Sequence, residues 1–260
     1  INVSNDNTVQ MSSKGITSNI KGFNPKDFPE NPKMTEGSQV TITSNKLIEM
    51  IKSTIFATSN NFTKPVLSGV YFSFQQDQLT CIATNSHRLA FRQVEVISNF
   101  NSHCIVPKSS LVELLKLLKS NDSPVNILME ETHILFEAEK FKLYSRLIDG
   151  SFPNINGIIP KHAKTTVTLL ASQLYQGVDR AYFFAKENKN NNVHLECSNS
   201  TLKIFSHSSE IGEIKEVQSI QSFIGEDNGT IAVDGQYLLD TLKVLKDEEI
   251  IISFNGTMSP

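Results

Sequence analysis

The sequence lacks the motifs that mark the common catalytic sites. It contains no glycine-rich phosphate loop, no His-Glu-x-x-His metal motif and no Gly-x-Ser-x-Gly nucleophile elbow. Its six histidines do not cluster at the spacing of metal ligands. An acid–base pair between residues distant in the chain stays open, but no pattern favours one. We therefore assign no catalytic residue, no metal site and no cofactor from the sequence.

Long apolar runs and paired cysteines are missing as well. No apolar run reaches the roughly 20 residues of a membrane-spanning helix, and no signal-peptide pattern opens the chain. Cys81, Cys104 and Cys197 have neither metal-ligand spacing nor the even number of a disulfide framework. Each lies in an apolar run, which predicts buried thiols in a reducing compartment. We expect a cytoplasmic protein without a membrane partner.

An excess of basic charge is also absent. The 24 basic residues are outnumbered by 27 acidic ones, and the net charge of −3 argues against a surface built throughout for nucleic acid. A local basic face is still compatible with this charge. With 39% hydrophobic residues, the 260-residue chain is globular and long enough for one large domain or two ordinary ones. It begins with Ile1, which is typical of a fragment of a longer polypeptide.

What the sequence does contain is a repeat of a whole domain. Three segments recur further along the chain: residues 47–51 as 174–178, residues 111–119 as 238–246, and residues 79–83 as 202–206. The numbering offset is 127 for the first two pairs (174 − 47, 238 − 111) and 123 for the third (202 − 79). Each copy has the order helix, strands, helix, strands, which predicts an α+β fold of tandem similar domains, each with antiparallel sheet and two helices. We place the tail of a first unit at residues 1–35, a complete unit at 38–160 and a shortened unit at 164–260.

Local signals predict where several elements begin. Ser44 is positioned to cap a helix whose apolar residues follow at helical spacing. The sequence Ser110-Leu111-Val112-Glu113 is a capping box, which predicts the start of a second helix. Residues 1–35 have a turn signal at Lys14-Gly15 and predict two or three short strands followed by a linker.

The segment Thr84–Leu89 interrupts two strand-like runs with polar residues, Thr-Asn-Ser-His-Arg, before Leu89. At the offset of 123 it is matched by residues 207–212, which differ at every position except Ser86 (Ser209), although the apolar framework is kept. Residues needed only for folding should persist in both copies, so this difference indicates a task of the central copy alone. The alternative is a polar turn in which Thr84 and Asn85 bond to the local backbone.

Several lysines show the opposite pattern. Lys116 corresponds to Lys243 and Lys119 to Lys246, on the exposed side of equivalent helices. An electrostatic contact with a polyanion and an ordinary solvated face both explain this match.

Residues 83–90, Ala-Thr-Asn-Ser-His-Arg-Leu-Ala, resemble the Ala-Thr-Asp-x-His-Arg-Leu-Ala signature of the bacterial DNA polymerase III beta subunit family, the sliding clamps. Residues 64–70 are similar to the family's Arg-Pro-x-Leu-x-Gly segment. Further matching segments follow in the expected order, at residues 105–108, 145–153, 210–212 and 237–240. The resemblance covers essentially the whole chain. It implies the DNA clamp fold and a homodimeric ring, three similar domains per subunit, closed around duplex DNA.

The resemblance also implies partners and site residues. The partners would be duplex DNA, the DNA polymerase III alpha subunit, the clamp loader and other proteins with a clamp-binding motif; the clamp has no reaction of its own. The pocket for partner peptides would comprise Leu67, Thr84, Ser86, His87, Arg88, Leu89, Pro153, Ile158 and Met258. The residues facing DNA would be Asn61, Lys64, Lys108, Lys116, Lys119, Lys243 and Lys246. The subunit interface would include Phe183 and Phe184, of which Phe184 is copy-specific because Ala57 is its counterpart.

The chain departs from the family at several points. Asn85 replaces the signature aspartate, and Gly157 stands where many relatives have a larger or basic residue. Most of the first domain and the last strand of the third are missing from the sequence, so we expect the chain as given not to close a ring. Two other functions stay open: a peptide-binding adaptor that does not encircle DNA, and a nuclease or hydrolase that uses His87 and Arg88.

Overall fold

A computed structural model describes residues 1–30, 32, 34, 37–61, 63–75, 77–98, 100–186, 191–198, 200–225, 229–245 and 248–256. Two of the predicted site residues, Lys246 and Met258, lie outside these ranges. The chain divides into two compact units, residues 1–37 and 38–260. No helix within the described ranges is long and apolar enough to cross a membrane.

The N-terminal unit is a small antiparallel sheet. Its strands are β1 (Asn2–Val3), β2 (Thr8–Ser13) and β3 (Ile16–Lys21), in the order β1-β2-β3. The hairpin between β2 and β3 turns at Lys14 and Gly15, which both have positive φ (46° and 83°), as the turn signal predicted. The prediction of short strands is therefore confirmed for this segment.

Residues 38–147, here called the central repeat, form two antiparallel sheets with two helices. The elements are β4 (Ser38–Thr43), α1 (Ser44–Lys52), β5 (Gly69–Gln75), β6 (Gln78–Thr84), β7 (Leu89–Glu95), β8 (Ser102–Pro107), α2 (Lys108–Leu117), β9 (Pro124–Met129), β10 (His133–Ala138) and β11 (Phe141–Arg146). The strand orders are β7-β6-β5-β8 and β11-β10-β9-β4. Short 3-10 turns lie at Ile55–Ala57 and Pro65–Leu67.

Residues 165–256, the C-terminal repeat, have the same plan. The elements are β12 (Thr165–Leu170), α3 (Ala171–Ala185), β13 (Asn192–Cys197), β14 (Thr201–Ser208), β15 (Gly212–Ser219), β16 (Ser222–Gly225), β17 (Gly229–Asp234), α4 (Gly235–Val244) and β18 (Glu249–Phe254). The strand orders are β15-β14-β13-β17 and β16-β12-β18.

The predicted internal repeat is confirmed by the element boundaries. The bounds of α4 are those of α2 shifted by 127 at both ends (235 − 108, 244 − 117). The bounds of β12 are those of β4 shifted by the same 127 (165 − 38, 170 − 43), and the start of β14 is that of β6 shifted by 123 (201 − 78). The α+β fold class predicted from the sequence is therefore confirmed.

Each repeat encloses its own hydrophobic core. Phe72, Phe136 and Leu114 belong to the core of the central repeat, and Leu174 and Ile204 to that of the C-terminal repeat. The three cysteines are free and buried within these cores, as predicted. Desolvation by burial raises the pKa of the Cys104 thiol to about 12 and that of Cys197 to about 11, so both are protonated at neutral pH.

Both predicted helix caps are wrong. Ser44 is the first residue of α1, and its hydroxyl donates instead to the Lys119 carbonyl oxygen (2.5 Å). Helix α2 begins at Lys108, two residues before the predicted capping box, so Ser110 lies inside the helix and accepts a hydrogen bond from the Ser145 hydroxyl (2.7 Å). In both cases a tertiary hydrogen bond takes the hydroxyl that local sequence had assigned to capping.

Candidate functional site

The segment Thr84–Leu89 is a tight polar turn between β6 and β7. The Thr84 hydroxyl donates to the Arg88 carbonyl oxygen (2.7 Å) and accepts from the Ser86 N–H (3.1 Å). The Asn85 side-chain oxygen accepts from the N–H groups of His87 and Arg88 (3.0 Å each). The side chains of Thr84 and Asn85 therefore stabilise the turn, while those of His87 and Arg88 take no part in these hydrogen bonds. The Asn85 side-chain oxygen is the acceptor that an aspartate would also supply, so the replacement of the signature aspartate by asparagine keeps the hydrogen bonds of the turn.

Arg88 connects the turn to both repeats. Its Nη1 donates to Asp240 Oδ2 on α4 (2.8 Å), and its Nη2 donates to the Phe56 carbonyl oxygen (2.5 Å). The guanidinium lies over the rings of Tyr237 (4.5 Å to the centroid) and Phe56 (5.4 Å). The plane of the His87 ring is inclined by 28° to that of Tyr237, with centroids 6.4 Å apart.

A groove of about 570 Å³ lies at this junction between the repeats. It is lined by Thr58, Ser59, Asn60, Asn61, Thr63, Lys64, Leu67, Asn85, Ser86, His87, Arg88, Gln236, Tyr237 and Asp240. It brings together four of the predicted pocket residues, Leu67, Ser86, His87 and Arg88. Most of the lining is polar, and the residues come from segments far apart in the sequence.

Among the predicted pocket residues that the structure describes, Thr84, Leu89, Pro153 and Ile158 do not line this groove. Thr84 pairs with Leu89 and Ile82 with Phe91, so all four side chains lie on one face of the sheet. Ile82, Phe91 and Pro153 line a second groove of about 460 Å³, where the segment after β11 crosses that face and Phe152 stacks on Tyr71 (5.0 Å). The predicted pocket wall is therefore not gathered in one groove: Pro153 lines the second groove, and Thr84 and Leu89 share the sheet face with Ile82 and Phe91.

Two residues at the end of that segment are exposed. Ile158 lines neither groove. Gly157 has φ of +95°, and no atom of the described residues lies within 4 Å of the position that a methyl group would take, so its backbone rather than its surroundings requires glycine. A larger residue at 157 would have space but would need a different backbone conformation.

The predicted DNA-facing residues fall into two groups. Asn61 and Lys64 line the groove, and Lys108 Nζ donates to Asn60 Oδ1 (3.1 Å) beside it. Of the others that the structure describes, Lys116, Lys119 and Lys243 lie on or just after α2 and α4, and acidic neighbours offset part of the charge of Lys116 and Lys243. Lys116 Nζ is 2.7 Å from Glu113, Lys243 Nζ is 3.9 Å from Asp240, and Lys119 is exposed.

The two predicted interface phenylalanines lie near the end of α3. Their rings meet edge to face with centroids 5.7 Å apart, and Lys186 Nζ lies 4.5 Å above the Phe183 ring. Phe183 is 55% exposed and Phe184 is half-buried, so neither belongs to the fully buried core. This leaves an apolar surface at the end of the helix.

Sequence reasoning missed the contribution of α4 to the groove. Gln236, Tyr237 and Asp240 line it, yet in the sequence residues 237–240 stand out only as a family motif. The comparison of copies would have found Tyr237, because its counterpart at the offset of 127 is Ser110. Among the described residues, no group of three or more His, Cys, Asp or Glu side chains is arranged to hold a metal ion.

The fold of the chain is similar to that of solved structures of DNA polymerase sliding clamps. A solved structure of a DNA polymerase sliding clamp from Bacillus subtilis matches with a TM-score of 0.93 at 34% identity, over 99% of this chain and 68% of that one. The beta chain of DNA polymerase III from Streptococcus pneumoniae matches with a TM-score of 0.92 at 28% identity, over 100% of this chain and 69% of that one. The repeated α+β unit is therefore the DNA clamp fold.

Sequence comparisons extend the match to the family. The profile of the DNA polymerase III beta subunit central domain matches residues 41–154, and that of its C-terminal domain matches residues 156–260. The chain belongs to the DNA polymerase III beta subunit family. The beta sliding clamps of Bacillus subtilis and Halalkalibacterium halodurans are 36% and 34% identical to it, each over 93% of this chain. The chain spans 65% of the length of these two relatives.

Proposed function

We propose that the chain is part of a DNA sliding clamp, a processivity factor that encircles duplex DNA as a ring and tethers a DNA polymerase through a peptide-binding pocket. The observation that carries the proposal is the groove in which the copy-specific turn Thr84–Leu89 faces the copy-specific Tyr237. Residues 1–35 would be the tail of the first clamp domain, 38–160 the second domain and 164–260 part of the third. The protein would act in the cytoplasm and catalyse no reaction of its own.

The chemistry of the groove suits a short peptide. Leu67 offers an apolar floor, and the rings of His87 and Tyr237 offer flat surfaces for an apolar or aromatic side chain. The amide groups of Asn60 and Asn61 can pair with a glutamine side chain. Each apolar anchor that becomes buried would contribute about 1.5–3 kcal/mol. The partners proposed for this site are the DNA polymerase III alpha subunit, the clamp loader and other proteins with such a motif.

A ring around DNA needs only weak contacts with the phosphates, because a closed ring cannot leave the duplex without opening. Lys64 and Lys108 near the groove rim, with Lys116, Lys119 and Lys243 on or just after the helices, would supply a salt-sensitive attraction. This reconciles a net charge of −3 with a DNA partner. Phe183 and Phe184 would lie at the interface of the homodimer.

Peptide titration tests the groove. A synthetic peptide that contains glutamine, leucine and phenylalanine should bind the wild-type chain, and His87→Ala with Arg88→Ala should weaken binding by at least tenfold. The matched control is His133→Ala with Arg92→Ala, two residues outside the groove, which should leave binding unchanged. Equal affinity of the wild type and the groove variant would contradict the assignment.

DNA retention separates the clamp from its alternatives. The protein restored to the full length of its relatives should remain on circular DNA and slide off linear DNA. Equal loss from both would favour an adaptor that does not encircle DNA. Cleavage of DNA by a pure sample, abolished by the His87 and Arg88 changes, would favour the nuclease.

A further inference from the structure

We propose that Arg88 and Asp240 form an inter-repeat ion pair that fixes the spacing between the two walls of the groove, so that partner binding depends on this contact. Arg88 is then a positioning residue and not chiefly a contact for the partner. The consequence for binding rests on the proposed function; the mechanical role of the pair does not.

The guanidinium of Arg88 is already engaged before any partner arrives. Nη1 and Nη2 donate to Asp240 and to the Phe56 carbonyl oxygen, and Nε is buried with no hydrogen-bond partner among the described residues. The rings of Tyr237 and Phe56 lie against the group at 4.5 Å and 5.4 Å. A partner would therefore have to displace existing bonds in order to use this side chain.

Asp240 is held in place by its own helix. Its Oδ1 accepts from the Gln236 side-chain amide one turn earlier (2.8 Å), which leaves Oδ2 directed at Arg88. The side chains of Arg88 and Asp240 are only 17% and 24% exposed. Solvent screens such a pair less than the exposed pair of Arg92 with Glu49, whose side chains are 50% and 56% exposed.

One guanidinium thus joins three segments of the groove. Arg88 lies in the turn after β6, Asp240 lies on α4, and Phe56 lies in the 3-10 turn Ile55–Ala57, which directly precedes the loop that begins at Thr58. Lysine could not replace it, because a single ammonium on a flexible stem cannot reproduce the planar fork that bonds two acceptors while stacking on two rings.

The pair is specific to this junction. The counterpart of Arg88 in the C-terminal repeat is Ile211, and the counterpart of Asp240 in the central repeat is Glu113, which pairs with Lys116 on its own helix. The fold of a single repeat therefore does not require the contact. It occurs where the two repeats meet.

Hydrogen–deuterium exchange of the ligand-free chain tests the mechanical part. Asp240→Asn keeps the shape of the side chain and removes its charge. It should speed exchange in α4 and also at residues 85–88 and 55–58, which belong to the other repeat. Arg88→Met and Arg88→Lys should speed exchange at the same sites. If Asp240→Asn alters exchange in α4 alone, the proposed coupling is wrong.

A double-mutant cycle tests the consequence for binding, with the glutamine-, leucine- and phenylalanine-containing peptide as probe. Asp240→Asn and Arg88→Met should each weaken binding about tenfold, and the double variant should be no weaker than either, because one contact is removed in all three. Additive losses would contradict the proposal, as would tighter binding by Asp240→Asn, the result expected if freeing Arg88 helped it to reach the partner. Arg88→Lys with wild-type affinity would also overturn it.

The control cycle uses Arg92→Met and Glu49→Gln, which remove an ion pair within the central repeat. Arg92 lies on β7, the strand that follows the turn. These variants should change neither peptide affinity nor exchange in α4. If the wild-type chain binds no peptide, the proposed function fails, and the exchange experiment still decides whether the ion pair couples the repeats.

Discussion

The buried hydroxyl of Ser44 donates a hydrogen bond to the carbonyl oxygen of Lys119, joining the start of α1 to the segment after α2 across 2.5 Å. The corresponding residue of the C-terminal repeat is Ala171, which is also buried and has no hydroxyl. The bond is therefore a feature of one repeat and not a requirement of the fold.

Ser44→Ala should lower the free energy of unfolding by about 1–2 kcal/mol, because the Lys119 carbonyl oxygen loses a buried partner. Urea unfolding followed by circular dichroism measures this. Ser120→Ala is the matched control, since the Ser120 hydroxyl makes an exposed bond to Asn45 (3.0 Å) and its loss should cost no more than about 0.5 kcal/mol. Equal stability of Ser44→Ala and wild type would show that water replaces the bond.

The sequence predicted the elements that the two repeats share, but it did not predict the hydrogen bonds and the ion pair that join distant segments. The offset of 127 relates α4 to α2 at both ends, since apolar spacing is a local signal that both copies keep. The predicted caps failed, although α1 does begin at Ser44, because the hydroxyls of Ser44 and Ser110 bond to residues 75 and 35 positions away. Arg88 was assigned to the groove by motif, but its partner Asp240 lies 152 positions along the chain. No local pattern carries such a pairing.

Gly69 at the start of β5 should not tolerate a side chain. A methyl group there would lie 2.5 Å from the Val106 carbonyl oxygen and 2.9 Å from the side chains of Ile105 and Ile148. Because the nearest atom belongs to the backbone of the paired strand β8, the clash cannot be relieved by a rotamer change, and Gly69→Ala should cost about 2–3 kcal/mol. Urea unfolding provides the measurement.

Gly15→Ala is the comparison for that variant. No atom in the part of the chain that the structure describes lies within 4 Å of a methyl group added at Gly15, so its substitution tests only the strain of a positive φ in an exposed hairpin turn. A loss of stability for Gly69→Ala no larger than that for Gly15→Ala would mean that β5 and β8 move apart without cost.

Lys64 and Lys108 should contribute to DNA binding as phosphate contacts. If both touch phosphates, replacing both with alanine should reduce the slope of log affinity against log salt by about two, one for each lost contact. Fluorescence anisotropy of a labelled duplex across a salt series measures the slope. Lys142→Ala removes a lysine that pairs with Glu137 on neighbouring strands away from the groove, and it should leave the slope unchanged. An unchanged slope in the double variant would remove these two residues from the proposed DNA contact.

Alkaline pH should destabilise the fold through its buried thiols. Burial raises the pKa of Cys81 well above the ordinary value of 9.0, that of Cys104 to about 12 and that of Cys197 to about 11. Below pH 9 the thiols are protonated in both the folded and the unfolded chain, and this contribution to stability is fully present. Above pH 9 the unfolded chain loses these protons first, so stability should fall as the pH rises from 9 towards 11–12.

Cys197→Ala isolates one part of this effect. Each unit by which the pKa of Cys197 in the folded chain exceeds its pKa in the unfolded chain corresponds to about 1.4 kcal/mol of the free energy of unfolding, lost once the pH lies above both values. The variant should therefore lose less stability than the wild type between pH 8 and pH 11. What is compared is the change in the free energy of unfolding with pH, so a difference in stability at pH 8 does not affect the result. Parallel pH profiles for the two proteins would mean that the Cys197 thiol ionises as readily in the folded chain as in the unfolded one.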